Sequence, residues 1–165
     1  MGRWTEEGKP VIGDWRKGFY SVKAEYEKAA TPKRGQFVIQ SGYNVSRRRQ
    51  EVETALLLHN TYGGNIELIH EDASKKTADY NWRGKLWELK SVSSLTSVDT
   101  QLRKAIKQIE NNAGGILLDI SNYKGGKQDL FDAIHYRLKR SGGMTIDLLL
   151  LNNKNIQMAY RYKKR

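Results

Sequence analysis

The stretch Thr77-Ala-Asp-Tyr-Asn-Trp-Arg-Gly-Lys-Leu-Trp-Glu-Leu-Lys90 reads as two strands joined by a tight turn at Arg83-Gly84. Side chains alternate along a strand, so Glu88 and Lys90 share one face with Leu86 beside them, and Trp87 and Leu89 point the other way. If the turn is symmetric about Arg83-Gly84, Asp79 sits opposite Glu88 with Cβ atoms about 5 Å apart. A three-residue loop with a bulge would shift that pairing by one, because Arg-Gly is not the favoured Asn-Gly turn. Two carboxylates that close repel unless one is protonated or a cation lies between them. Asp79, Glu88 and Lys90 on one strand face suit a divalent cation that activates water against a phosphodiester. By the same alternation Tyr80 and Trp82 lie opposite Asp79, and packing is the expected role of Trp87, Tyr80 and Trp82.

The rest of the composition fits that chemistry. The chain has 165 residues, no cysteine and a formal net charge of +11, with pI near 9.8. Without cysteine there is neither a disulfide framework nor a thiolate metal site. His59, His70 and His135 are scattered without ligand spacing and read as structural or exposed. An oxygen-donor site instead suits magnesium, manganese or calcium. The positive charge predicts attraction to a polyanion. It is spread over Arg47-Arg48-Arg49, Lys75-Lys76, Arg103-Lys104 with Lys107, Arg137 with Lys139-Arg140, and Arg161 with Lys163-Lys164-Arg165. Arg103, Lys104 and Lys107 are the candidate nucleic-acid contacts. No basic amphipathic segment carries the aromatic and leucine face needed to insert into a membrane. No run of 18 apolar residues and no signal peptide is legible, so delivery to another compartment or cell rests on something else.

Residues 1–45, punctuated by glycine and proline, read as an arm or linker, with a short helix at 22–30 and a short strand at 36–40. From Ser46 the pattern sharpens into one domain, 46–165. Ser46 can cap a helix with Val52, Ala55, Leu56, Leu58 and Tyr62 at helical spacing, stopped by Gly63-Gly64. Ile66–His70 reads as a strand and Glu71–Lys76 as a polar loop. After the hairpin, Ser97 or Thr100 opens a second helix, ended by Asn111-Asn112. The apolar runs 116–120 and 145–151 read as buried strands, separated by a helix over 129–140 that Gly142-Gly143 closes. Residues 156–162 read as a last edge strand. Asp119 and Asp147 sit in apolar strands, and a lone buried carboxylate is costly. Each should therefore lie near a strand end or have a partner. The element order predicts an α/β layered fold with one mixed sheet.

At this point the chain resembles the PD-(D/E)XK nuclease superfamily. Ala78-Asp79 stands where that family has Pro-Asp, and Glu88-Leu89-Lys90 stands as its ExK. The resemblance implies a restriction-endonuclease-like mixed sheet flanked by helices and a metal site, Mg2+ or Mn2+, on Asp79 and Glu88. In it Lys90 orients or deprotonates the attacking water, or offsets charge on the phosphate. Glu51-Val-Glu-Thr-Ala, Tyr62-Gly-Gly-Asn-Ile, Lys76-Thr-Ala-Asp-Tyr and Leu86-Trp-Glu-Leu-Lys-Ser also resemble C-terminal nuclease domains of contact-dependent growth inhibition toxins, and similar domains that end some phage minor head proteins. That implies metal-dependent RNA cleavage, with tRNA as the usual target.

The superfamily commonly adds a glutamate from the first helix, and Glu51 and Glu53 are the candidates. Glu51 lies in line with Ala55, Leu58 and Tyr62, whereas Glu53 is about 200° further round and faces solvent. Glu51 is therefore the expected third metal ligand. On the next helix such folds often place a glutamine or basic residue near the site; Gln101, Gln108 and Lys104 are placed for it. A DNA nuclease of the same fold, or a non-catalytic nucleic-acid-binding module, are the rival readings. A toxin acting in the cytoplasm of the target cell, delivered as part of a larger secreted or phage protein, also needs an inhibitor, and the basic surface predicts an acidic one.

Overall fold

A computed structural model describes residues 19–71, 77–109, 113–140 and 145–162. Among the described residues, the apolar runs and turn residues build eight strands and four helices: β1 Phe19–Ser21, α1 Lys23–Lys28, β2 Phe37–Ile39, α2 Arg49–Thr61, β3 Ile66–Leu68, β4 Tyr80–Trp82, β5 Lys85–Ser91, α3 Leu95–Gln108, β6 Ala113–Asp119, α4 Lys127–Lys139, β7 Ile146–Asn152 and β8 Asn155–Tyr162. The strands form one mixed sheet in the order β1-β8-β7-β6-β5-β4-β3-β2. The pairs β2–β3, β5–β6 and β6–β7 are parallel, and the others antiparallel. From α2 onward the order is the one the sequence predicts, α/β with a mixed sheet.

The sheet is covered on both faces, which is why β6 and β7 are apolar without alternation. Ile116, Leu118, Leu148 and Leu150 pack with Leu102, Ile106 and Ile134 of α3 and α4. Leu117, Leu149 and Leu151 pack on the other face with Tyr26 of α1 and Ala55 and Leu58 of α2. Each buried leucine contributes about 1.5–3 kcal/mol relative to exposure. Tyr80, Trp82 and Trp87 belong to this second cluster, as expected, and Leu86 packs against the first. Strand β5 therefore turns Leu86, Glu88 and Lys90 toward one face and Trp87 and Leu89 toward the other.

The turn that decides the site has two residues. Tyr80 pairs with Trp87, Asn81 with Leu86 and Trp82 with Lys85. Arg83 and Gly84 take φ of 54° and 80°, the left-handed pair that a type I′ hairpin needs. Gly84 adopts this freely; Arg83 is held there by its own contacts. Its backbone N–H donates to Asn65 O at 2.9 Å, its Nη2 donates to Tyr62 O at 2.6 Å, and the guanidinium lies 5.0 Å from the Trp82 ring.

Some elements differ from the sequence reading. Helix α2 opens at Arg49 after Arg48, and the Ser46 hydroxyl donates to Asn44 Oδ1 instead of capping it. Helix α3 begins at Leu95, because Ser94 and Ser97 form a reciprocal capping box one turn before the expected start. β8 is interior, since β1 pairs with its outer side. Residues 19–45 supply β1, α1 and β2 to this same sheet, and residues 1–18 lie outside the described residues. So do Lys75, Lys76, Asn111, Asn112, Gly142, Gly143 and the tail Lys163-Lys164-Arg165. Among the described residues no helix is long and apolar enough to cross a membrane.

Candidate active site

The hairpin register puts Asp79 just before β4 against Glu88 in β5, and each carboxylate accepts a backbone N–H from the opposite strand. The Asp79 N–H donates to Glu88 Oε1 at 3.0 Å, and the Leu89 N–H donates to Asp79 Oδ2 at 2.9 Å. Lys90 Nζ stands 3.0 Å from Glu88 Oε2. Glu88 is 2% exposed, so its charge is compensated by these contacts and not by bulk water. Burial raises the Asp79 carboxyl to about 9, with further contributions from the negative charges of Glu88 and Glu51. Burial also raises Glu88, against the opposing pull of its hydrogen bond with Asp79 and of Lys90. The pair therefore holds a proton more tightly than free carboxyls do, and Glu88 faces Lys90 Nζ. Two carboxyls packed this close do not both ionise unless a cation lies between them.

Helix α2 carries Glu51, whose negative charge is felt at Asp79. Its carboxylate is half-buried and already engaged: the Tyr43 hydroxyl donates to Oε2 at 2.5 Å and Arg48 Nη1 donates to Oε1 at 3.1 Å. The other Arg48 nitrogen reaches Glu71 Oε2 at 2.7 Å. The Tyr80 hydroxyl donates to the Glu51 carbonyl at 2.6 Å and pins the helix start over β4. Glu53 is exposed and lines a separate groove with Leu56 and Asn60. On α3, Gln108 Nε2 donates to Thr77 O at 3.2 Å, two residues before Asp79, and its buried Oε1 has no hydrogen-bond partner among the described residues. Gln101 is half-buried on the same helix.

The donor set fits a hard divalent cation. Asp79 and Glu88 offer carboxylate oxygens that already repel, and a cation would replace the shared proton. Among the described residues no three acidic or histidine side chains form a ready-made cage, in keeping with Glu51 being tied to Tyr43 and Arg48. Arg103, Lys104 and Lys107 are exposed on α3, with Arg103 near Asp99; no described contact brings them to the acidic pair. The histidines are accounted for elsewhere: His59 Nε2 lies 3.0 Å from Gly35 O, His70 is exposed, and His135 is buried against Tyr162. Asp119 ends β6, accepting from Ser121 and Gln50, and Asp147 is paired with Arg161 and Tyr26.

Sequence reasoning missed Tyr43 and Arg48 as neighbours of the site. Arg48 carried a usable signal, since residues three apart on a helix face each other, but it read as one cation in a run of three. Tyr43 lies in an irregular segment with no periodicity to place it.

Comparison with known proteins adds the family. No curated protein matches the chain. Among solved structures, the CdiA-CT/CdiI toxin and immunity complex from Burkholderia pseudomallei is similar, at 13% identity and a TM-score of 0.49, over 73% of this chain and 97% of that one. The family model described as the contact-dependent growth inhibition CdiA C-terminal domain matches residues 75–157, half of the chain, including Asp79, Glu88 and Lys90. The chain belongs to the CdiA C-terminal domain family of contact-dependent growth inhibition.

Proposed function

We propose that this domain is a metal-dependent endonuclease toxin of the PD-(D/E)XK type that hydrolyses phosphodiester bonds in RNA, tRNA first among them. The observation that carries the reading is the half-buried Asp79 against the buried Glu88, with Lys90 3.0 Å from Glu88. A binding module gains nothing from burying two carboxylates where phosphate must approach. Asp79 and Glu88, helped by Glu51, would hold one Mg2+ or Mn2+. When bound, that ion supplies a Lewis acid that activates water and offsets charge on the phosphate. Lys90, held in place by Glu88, donates hydrogen bonds where negative charge builds on the phosphate oxygens. Glu88 fixes the ammonium, and the apolar packing of Trp87 and Leu89 behind β5 fixes Glu88. The +11 net charge supplies the attraction to the nucleic-acid backbone.

The family supports the toxin part of the reading. It fits delivery from a larger secreted protein into the cytoplasm of a target cell, and neutralisation by an acidic immunity protein. The test is incubation of the purified domain with total RNA, isolated tRNA and plasmid DNA, with Mg2+, with Mn2+ and with chelator. Metal-dependent cutting of tRNA supports the reading; metal-dependent cutting of DNA alone makes it a DNA nuclease; binding without cutting makes it a binding module.

A further inference from the structure

Arg48 pairs with Glu51, the candidate third metal ligand, and with a second carboxylate, Glu71. One nitrogen donates to Glu51 at 3.1 Å and the other to Glu71 at 2.7 Å, so a single cation serves two carboxylates. Its side chain is 35% exposed and opens onto a polar groove of about 550 Å³. Asn44, Arg47, Gln50 and His70 line the same groove, as does Glu51, whose charge is felt at Asp79. An exposed fork of this kind pairs better with a phosphate, which accepts two N–H bonds in the same geometry, than with two separate carboxylates.

We infer that this groove takes a backbone phosphate of the nucleic-acid substrate on Arg48 and Arg47, and that the transfer of Arg48 from Glu51 to the phosphate frees the Glu51 carboxylate for the metal. Arg48 is then a positioning residue that makes substrate and metal binding cooperative. This rests on the nuclease reading. Coupling between two ligands is reciprocal, so nucleic acid should tighten metal binding by the factor by which metal tightens nucleic acid.

The test uses the Lys90→Ala protein, to prevent turnover, with Mn2+ and tRNA as the two ligands. Mn2+ affinity is measured alone and with saturating tRNA, for Arg48 intact, Arg48→Ala, Arg48→Lys and Arg47→Ala. With Arg48 intact, tRNA should tighten Mn2+ roughly 5- to 100-fold. Arg48→Ala should bind Mn2+ alone at least as well, lose the tRNA enhancement and reduce the salt slope of tRNA binding by about 0.7–0.9. Arg48→Lys should keep part of the enhancement, and Arg47→Ala should reduce the slope while keeping it. A purely structural role for Arg48 would lower tRNA and Mn2+ binding without changing their coupling, and that result overturns the inference. So does an unchanged salt slope in Arg48→Ala. Absence of any tRNA or metal binding with Arg48 intact would instead sink the nuclease reading beneath it.

Discussion

Asp79 and Glu88 are locked together by each other's strands: the Asp79 N–H holds the Glu88 carboxylate and the Leu89 N–H holds the Asp79 carboxyl. Neither side chain can swing away without leaving a half-buried N–H unpaired, so the repulsion between them is built into the hairpin and is relieved by a proton.

That proton makes stability depend on pH. The folded Asp79 carboxyl is raised to about 9, above its ordinary value near 3.8, so the folded state binds the proton more tightly than the unfolded chain. The contribution is fully present below about pH 4 and is lost as pH rises toward 9. Asp79→Asn keeps an acceptor for Leu89 and removes the titration. Without added metal it should be more stable than wild type by on the order of 1–3 kcal/mol at pH 8, and the gap should shrink toward pH 5. Urea denaturation at several pH values checks this; a gap that grows toward acid would contradict the shared proton.

Metal binding should separate the two α2 glutamates. Glu51→Gln should weaken Mn2+ affinity, and Glu53→Gln should leave it within about twofold of wild type, because Glu53 faces solvent away from the pair. Calorimetric titration of both variants decides it, and a larger loss at Glu53 would reverse the assignment.

Stability at the far end of the sheet rests on a different acid. Asp147 accepts Arg161 Nε at 2.7 Å and Nη2 at 3.1 Å, and the Tyr26 hydroxyl as well. Asp147→Ala strands the buried Tyr26 phenol and leaves Arg161, 31% exposed, with Glu25 as its carboxylate partner. A fully buried pair would cost about 3–5 kcal/mol when broken; with Arg161 partly solvated, about 2–3 kcal/mol is expected. The loss should appear as a lower urea midpoint with no change in metal affinity.

Nucleic-acid affinity should fall steeply with salt. Each neutralised phosphate contributes a log–log slope of about −0.7 to −0.9, so a broad basic surface should give roughly −4 or steeper. Deleting Lys163-Lys164-Arg165 should weaken binding to all sequences alike and leave the cut position unchanged. Near salt-independence in a catalytically dead variant, or a displaced cut, would contradict a footprint spread over the chain.

The sequence made the hairpin legible because alternation and a symmetric turn leave few registers. The two-residue turn was chosen over the bulged alternative by tertiary contacts: Arg83 reaches Tyr62, Gly63 and Asn65, none of which the hairpin itself reveals. The buried strands were legible for their unbroken apolar runs. β2 lies within the short strand read at 36–40, whereas β1 is three residues long, carries no period and pairs with β8. The state of Glu51 was hidden for the same reason, since Tyr43 and Glu71 come from irregular segments on either side of β3.

The most direct measurement is the rate at which wild type, Asp79→Ala, Glu88→Ala and Lys90→Ala cut total RNA, with Mg2+ or Mn2+ and with the metal chelated. Circular dichroism and urea midpoints show that each variant is folded. The expected result is cleavage by wild type only with metal, and a loss of roughly 100-fold or more in each variant. Cleavage at the wild-type rate by all three variants, or by wild type under chelation, would contradict the assignment of this site.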